Sequence, residues 1–382
     1  LGMVRVSGPE LTRPTSRTVF TASGTPVFVG FMAPLSDAPH LRCSGCGPAV
    51  ENAGSWSAPG ESGAWHCKSG VMIEPRDDLA QVLEEAREIG WGDPADYLRD
   101  LQRHDLDALA AAVCRTDGEL IGVGDHDRPL ALQSVSKPFT YAVALQECGL
   151  DRVLSYIGVE PSGEAFNELS QHEDGRPFNP LINAGAIMAQ ALIPGDTLEE
   201  REALLLDRYA ALAGERLEVS EEVLRAEQVR GDRNFALEHM LASSGMLAHD
   251  PHEVVQGYLR QCSVEATTAQ LAVMGATLAG GGRNPVTGQR VFDERVVQQT
   301  LSVMLTCGMY DSSGRWVAQV GIPAKSGVSG AMLGVVPGAL GLATWSPRLD
   351  SYGNSIRGVE VFRRLSDRWD LHVLRHREPL SR

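Results

Sequence analysis

Lysine is scarce in this chain, and two of its three lysines stand in motifs that can carry chemistry. The chain has 34 lysines and arginines, of which only Lys68, Lys137 and Lys325 are lysines. Lys137 closes a Ser-x-x-Lys pattern that begins at Ser134, and Lys325 opens Lys-Ser-Gly. Arginine stays protonated in proteins, whereas a desolvated lysine can become a neutral base. The pattern therefore predicts a serine nucleophile that a lysine activates.

A helix that begins at or just before Ser134 would bring Ser134 and Lys137 together. Residues three apart share a helix face, and Pro138 favours a helix start because proline is tolerated in the first turn. The N-terminal end of a helix also stabilises a developing negative charge. We expect Lys325 to lie near Lys137 and to lower its pKa by charge repulsion. An ordinary surface lysine at position 137 is the alternative interpretation.

Uncharged polar residues interrupt segments that otherwise have the composition of a protein core. Asn183 lies inside the apolar run 178–187, Asn234 follows Gly231, and Tyr310 ends the run 306–310. Each residue alone is better explained as a structural amide or a surface phenol. Together with a candidate serine nucleophile, they favour a pocket for a polar ligand.

The elements that must position these residues follow from the spacing of apolar side chains. Residues 109–114 and 119–123 flank Thr116-Asp117-Gly118, which predicts a hairpin. Strands are also predicted at 316–320, 332–336 and 340–345. Helices are predicted at 79–86, after Asp93-Pro94, at 134–148, through most of 151–290 and along 359–369. This order predicts an α+β fold, an antiparallel five-stranded sheet flanked by helices plus a helical subdomain.

Residues 1–75 differ in composition from the rest of the chain. They hold 8 Pro, 10 Gly and 9 Ser without sustained periodicity, which is typical of a disordered extension. One isolated strand is predicted at 26–35. A zinc site is the less favoured alternative, since its second half-site, His66-Cys67, lacks ligand spacing; its residues are His40, Cys43, Cys46, His66 and Cys67. Residues 76–382 form the predicted catalytic domain, with an α/β subdomain at 76–150 and 290–382 and a helical subdomain at 151–289.

Charge and cysteine content narrow the possible partners. A net charge of -15 and a pI of 5.1 argue against nucleic acid or an anionic membrane. No apolar run approaches the roughly 18 residues of a membrane span, and the first residues show no secretory signal. Seven scattered cysteines do not form a disulfide framework. We therefore expect a cytoplasmic protein.

Five motifs, taken together, resemble the serine-dependent glutaminase family. They occur in the family's order over about residues 77–374, and they are Gln133–Lys137, Asn183–Ile187, Gly231–Asn234, Cys307–Asp311 and Pro323–Val328. The resemblance implies the fold of serine β-lactamases and penicillin-binding proteins. It also implies hydrolysis of L-glutamine to L-glutamate and ammonia, without a metal or organic cofactor, in a homo-oligomer (dimer or tetramer).

The resemblance assigns a role to individual residues. Ser134 would be the acylated nucleophile, Lys137 its general base, and Tyr310 a proton shuttle. The backbone N–H groups of Ser134 and Val328 would form the oxyanion hole. The remaining substrate-binding residues would be Gln133, Glu227, which would hold the substrate α-ammonium, Asn183, Asn234, Tyr258 and Tyr97.

Two other functions remain open at this stage. The first is a β-lactamase, esterase or peptidase of the same fold, which a secretory signal would favour. The second is a non-catalytic glutamine-binding relative, against which the intact Ser134 and Lys137 argue. Glu227 also has a plainer interpretation as a solvated helix acid, because Glu221 and Glu222 precede it.

Overall fold

The computed structural model describes residues 65–66, 72–73, 75–95, 105–163, 171–247 and 249–375. Several sequence predictions lie outside these ranges: the strand at 26–35, the cysteines of the possible zinc site, and the helix after Asp93-Pro94 with its Tyr97. The described part begins with a short antiparallel pair, β1 (Trp65–His66) and β2 (Met72–Ile73).

An antiparallel five-stranded sheet forms the centre of the fold, as the sequence predicts. Its strands are β3 (Ala110–Arg115), β4 (Leu120–Gly124), β8 (Ala324–Ser326), β9 (Ala331–Val336) and β10 (Leu340–Trp345). The strand order is β4-β3-β10-β9-β8, and β3 pairs with β10 from Ala110 opposite Trp345 to Arg115 opposite Leu340. Every residue of β3 is buried, as expected for a central strand with helices on both faces.

The strand predicted at 316–320 is wrong, because this segment belongs to the helix Ser313–Gln319. Trp316 and Val320 are four residues apart, so a helical turn places both on one face, and both are buried. The Trp316 ring packs edge-on against Phe362 at 5.3 Å, and its Nε1 donates to the carbonyl of Ile322 at 2.7 Å. The fifth strand is instead β8, which carries Lys325.

Helices cover the sheet and fill the middle of the chain, as predicted for 79–86, 134–148, 151–290 and 359–369. In chain order they are α1 (Pro75–Arg87), α2 (Lys137–Cys148), α3 (Leu150–Tyr156), α4 (Asn183–Ala191), α5 (Leu198–Ala213), α6 (Glu221–Val229), α7 (Asp232–Ser243), α8 (Pro251–Cys262), α9 (Thr268–Ala279), α10 (Glu294–Cys307), α11 (Ser313–Gln319) and α12 (Ile356–Arg368). In the described ranges, none of these helices is both long and apolar enough to cross a membrane.

Two groups of helices pack on the two faces of the sheet. α1 and α12 lie together on one face, where Trp369 Nε1 donates to Asp78 Oδ2 at 2.8 Å. α9 lies on the other face against β3 and β10, although it falls within the range predicted for the helical subdomain. A Cβ on Gly341 would lie 2.3 Å from the backbone N of Ala276, so only glycine permits this approach.

Helices from the middle of the chain form a layer beside α9. α2, α4, α5, α7 and α8 pack on one another around a continuous apolar core. A small antiparallel sheet, β5 (Leu130–Ala131), β7 (Val264–Ala266) and β6 (Glu218–Val219) in that order, joins this layer to the segment that precedes Ser134.

Candidate active site

Ser134 and Lys137 lie where a 3₁₀ turn passes into α2. The turn spans Gln133–Ser136, α2 begins at Lys137, and Pro138 occupies the first helical turn. The sequence therefore placed the helix start correctly to within one turn and did not foresee the tighter geometry. Ser134 is 6% exposed and Lys137 is completely buried, so Lys137 is not a surface lysine.

Lys137 is held by acceptors from the first residue of α4 and from the loop that precedes it. Its Nζ donates to Asn183 Oδ1 at 2.7 Å and lies 3.4 Å from the carbonyl oxygen of Leu181. Burial lowers the pKa of Lys137 to about 8, because the charged ammonium loses its hydration there. Lys137 therefore loses its proton more readily than an ordinary lysine does, and a lysine must lose that proton to act as a general base.

Lys325 is also completely buried, but its influence differs from the expected one. Burial, followed by repulsion from the charge of Lys137, lowers the pKa of Lys325 well below its usual value. The pKa of Lys137 falls because of its own burial, so the repulsion acts mainly on Lys325. Burial and this repulsion therefore make Lys325 easier to deprotonate than an ordinary lysine.

Tyr310 joins the β8 edge to the Ser134 turn. Its hydroxyl donates to the carbonyl of Ser326 at 2.9 Å, and Lys325 Nζ lies 4.1 Å from the centre of its ring. Burial raises the pKa of Tyr310, and a side-chain hydrogen bond with Ser134 opposes that rise. The phenol therefore stays protonated and contacts the predicted nucleophile. Tyr310 itself has φ +52°, a strained conformation of the kind that clusters at functional sites.

The turn after β8 lies against the same 3₁₀ turn. A Cβ on Gly327 would lie 3.1 Å from the carbonyl oxygen of Leu132 and from Val135, so the two backbones are close. Within the described ranges, the backbone N–H groups of Ser134 and Val328 donate to no backbone carbonyl. An oxyanion hole needs two N–H donors on facing segments of this kind.

Polar side chains from three helices adjoin the lysine. Asn183 Nδ2 donates to Asn234 Oδ1 at 3.0 Å, and the Tyr258 hydroxyl donates to Asn183 Oδ1 at 3.3 Å. The predicted residues Asn183, Asn234 and Tyr258 thus form one cluster with Lys137. Asn179, which the sequence did not single out, shapes this cluster because its Oδ1 accepts from the N–H groups of Leu181 and Ile182 at 3.0 and 3.2 Å.

Glu227 is a half-buried residue of the site and not a solvated helix acid. Gln133 Nε2 donates to Glu227 Oε1 at 2.9 Å, which joins α6 to the residue that precedes Ser134. Burial raises the pKa of Glu227, while this hydrogen bond and the charge of Arg230 lower it. A half-desolvated carboxylate of this kind suits a cationic group of a ligand.

The residues that the sequence missed lie behind the motif. Ser136 and Gln261 are buried and hydrogen-bonded to each other, and Cys262, predicted as a packing residue, adds a thiol beside Tyr258 and Ser136. Burial raises the pKa of the Cys262 thiol to about 12, so it is not a nucleophile. Of these three residues, only Ser136 belongs to a motif that stands out in the sequence, Ser134–Lys137.

A cavity of about 570 Å³ opens beside Tyr310, and Ser134, Lys137 and Glu227 are not among the residues that line it. Its walls include Asn179, Leu181 and Cys307. In the described part of the chain, no three His, Cys, Asp or Glu side chains are grouped as metal ligands would be.

The sequences of known proteins relate this chain to the same family that its motifs resemble. A sequence model of the glutaminase family matches residues 92–374. The glutaminase of Corynebacterium glutamicum is 47% identical over 298 residues, which cover 78% of this chain and 72% of that protein. The glutaminase of Clavibacter michiganensis subsp. michiganensis is 45% identical over 297 residues, with 78% and 91% coverage.

Solved structures show the same relationship in three dimensions. The structure of Mglu in its glutamate form superposes with a TM-score of 0.77 at 44% identity, covering 81% of this chain and 72% of that one. The probable glutaminase of Bacillus subtilis gives a TM-score of 0.73 at 33% identity, with 79% and 98% coverage. With the five-stranded sheet and the matched motifs on one framework, the chain belongs to the glutaminase family.

Proposed function

We propose that this chain hydrolyses the side-chain amide of L-glutamine through an acyl-enzyme on Ser134. The observation that carries the proposal is a buried lysine, with a pKa of about 8, one helical turn after a serine that contacts Tyr310. An amide is a weak electrophile with a poor leaving group. A two-step route with a stabilised oxyanion lowers both barriers.

In the first step, neutral Lys137 accepts the hydroxyl proton of Ser134 while Oγ bonds to the amide carbon of the substrate. The carbonyl π electrons move to oxygen, where the N–H groups of Ser134 and Val328 stabilise the negative charge. The C–N bond then breaks, and ammonia leaves with the proton that Lys137 carried, relayed through Tyr310. Water attacks the resulting ester in the same way, with Lys137 again as the base, and releases L-glutamate.

The two ends of the substrate call for different partners. The α-ammonium is assigned to Glu227, the half-buried acid that Gln133 orients. The polar groups Asn183, Asn234, Tyr258 and Tyr97 are assigned to the rest of the amino acid. Pairing every buried polar group of the substrate also discriminates against analogues that lack one of them.

The decisive experiment measures ammonia and glutamate release from L-glutamine by the wild type and by Ser134→Ala. L-asparagine and a chromogenic β-lactam serve as alternative substrates, and hydroxylamine as a competing nucleophile. Glutamine-selective release that is abolished in Ser134→Ala, with γ-glutamyl hydroxamate formed by the wild type, is the expected result. Turnover of the β-lactam alone would move the assignment to a β-lactamase-like enzyme. Glutamine binding without turnover would indicate a non-catalytic relative.

The proposal also covers the oligomeric state, the cellular compartment and the cofactor requirement of the enzyme. We expect a homo-oligomer, a dimer or a tetramer, in the cytoplasm, with no metal or organic cofactor. Sedimentation velocity tests the first expectation, and full activity after dialysis against a chelator tests the last.

A further inference from the structure

Ser136, the second serine of the Ser-Val-Ser-Lys motif, has no role in the reaction steps proposed above, yet its side chain is firmly engaged. It is completely buried, and its Oγ donates to the carbonyl oxygen of Gln133 at 2.6 Å. Although Ser136 stands at the N-cap of α2, its side chain makes no capping hydrogen bond. The side chain of an N-cap serine usually accepts a hydrogen bond from a backbone N–H of the first helical turn, so the Ser136 hydroxyl has a different role.

The task concerns the backbone of Gln133. Gln133 has φ +49°, a left-handed conformation that is strained for any residue except glycine and persists only when its surroundings impose it. Its carbonyl oxygen is the acceptor for Ser136, its neighbour is Ser134, and its Nε2 holds Glu227. One strained residue therefore sets the direction of both the nucleophile and the ammonium partner.

The support of Ser136 comes from two further helices. Gln261 Nε2 on α8 donates to Ser136 Oγ at 3.2 Å, and the Tyr209 hydroxyl on α5 donates to the Ser136 carbonyl oxygen at 3.1 Å. Tyr209 is itself fixed by Thr140 at 2.6 Å. All four of these side chains are at least 97% buried, so their hydrogen bonds do not compete with solvent.

We propose that Ser136, supported by Gln261, is a positioning residue that holds Gln133 in its left-handed conformation and thereby aims Ser134 and Glu227. The inference rests on the proposed function, because it assumes that Ser134 is the nucleophile and that Glu227 binds the substrate ammonium. Loss of the Ser136 hydroxyl frees the Gln133 carbonyl, and the peptide that carries the Ser134 N–H can then rotate. The rate of acylation should fall more than the affinity for the substrate, because acylation depends on the positions of both Ser134 and Glu227.

The test compares Ser136→Ala, Ser136→Cys and Gln261→Met by steady-state kinetics with L-glutamine and by thermal unfolding. Ser366→Ala is the matched control: Ser366 is buried on α12, where its Oγ donates to the Val320 carbonyl at 2.7 Å, outside the site. We expect kcat to fall about 10- to 100-fold in Ser136→Ala, with a smaller increase in KM. Cysteine is of similar size to serine but is a weaker hydrogen-bond donor, so the kcat of Ser136→Cys should lie between those of Ser136→Ala and the wild type.

We expect Gln261→Met to lower kcat as well, but by less than Ser136→Ala does. If Ser136→Ala does not fold, Gln261→Met provides the test in its place. Ser366→Ala loses thermal stability but keeps its kcat. Wild-type kcat and KM in Ser136→Ala, or wild-type kcat in Ser136→Cys, would overturn the inference. Activity that survives in Ser134→Ala would instead refute the proposed function, so the two failures are distinguishable.

Discussion

In the proposed mechanism, the protonation state of one residue, Lys137, decides the pH at which the enzyme can work. A general base acts only when neutral, and the buried Lys137 has a pKa of about 8. Below that pH, each unit reduces the neutral fraction about tenfold, whereas above it the fraction approaches one. We therefore expect kcat/KM for L-glutamine to rise about tenfold per pH unit from pH 6, to reach half of its maximum near pH 8 and to level off above that.

Steady-state kinetics between pH 6 and 8.5 check this expectation, with thermal unfolding over the same range as the control against loss of structure. A kcat/KM that is flat from pH 6 to 8 in a fully folded enzyme would contradict a lysine base with this pKa. A value that decreases as pH rises would assign the titrating group to an acid.

At the residue scale, the motifs indicated which polar side chains lie together near Lys137, but not the buried residues that hydrogen-bond behind the motif. Asn183 and Asn234 were recognisable because polar residues interrupted apolar runs, whereas Tyr258 followed only from the family resemblance, and the three lie together. Gln261 gave no such signal, because its importance comes from a contact with Ser136, 125 residues earlier in the chain. The left-handed backbone of Gln133 was equally hidden, since nothing in the identity of a glutamine requires positive φ.

At the scale of elements, short apolar runs were the main source of error. Residues 316–320 fit both a strand and a helical turn, and the choice was decided by the packing of Trp316 on Phe362. β8 has only three residues, too few for an alternating pattern to appear. In contrast, β3, β9 and β10 were predicted well, because each is a longer apolar run bounded by turn residues.

The contact between α9 and β10 makes a prediction at this scale. Gly341 faces the backbone of α9, and an added Cβ would lie 2.3 to 2.5 Å from three backbone atoms that cannot rotate away. We expect Gly341→Ala to destabilise the fold by about 1–3 kcal/mol, because the helix must move off the sheet. The midpoint of thermal unfolding should fall by roughly 2–6 °C.

Gly314→Ala is the matched control, because Gly314 lies in α11 with no atom within 4 Å of the added Cβ. This second substitution should leave the unfolding midpoint unchanged or raise it slightly, since alanine has the higher helix propensity. Equal midpoints for both variants would show that α9 is not held against β10 by the small size of Gly341.

At the scale of the whole molecule, the described site is drawn entirely from residues 133–328. Its members come from the 3₁₀ turn, from α2, α4, α6, α7 and α8, and from the turns around Tyr310 and Val328. The helical layer supplies the polar wall, and the β8 edge supplies Tyr310 and Lys325. The proposed reaction would therefore depend on how the helical layer docks on the sheet, and α9 contacts both of them.

The N-terminal extension should be dispensable for this arrangement. Its Pro-, Gly- and Ser-rich composition is typical of a segment without a packed core, and the family match begins only at residue 92. We expect a chain that lacks residues 1–64 to keep the kcat, KM and thermal unfolding midpoint of the full chain. Kinetics, calorimetry and elemental analysis of both proteins give the comparison. Zinc found in the full chain alone, together with a lower midpoint after the deletion, would revive a metal site built on Cys43 and Cys46 and would make the extension a structural part of the enzyme.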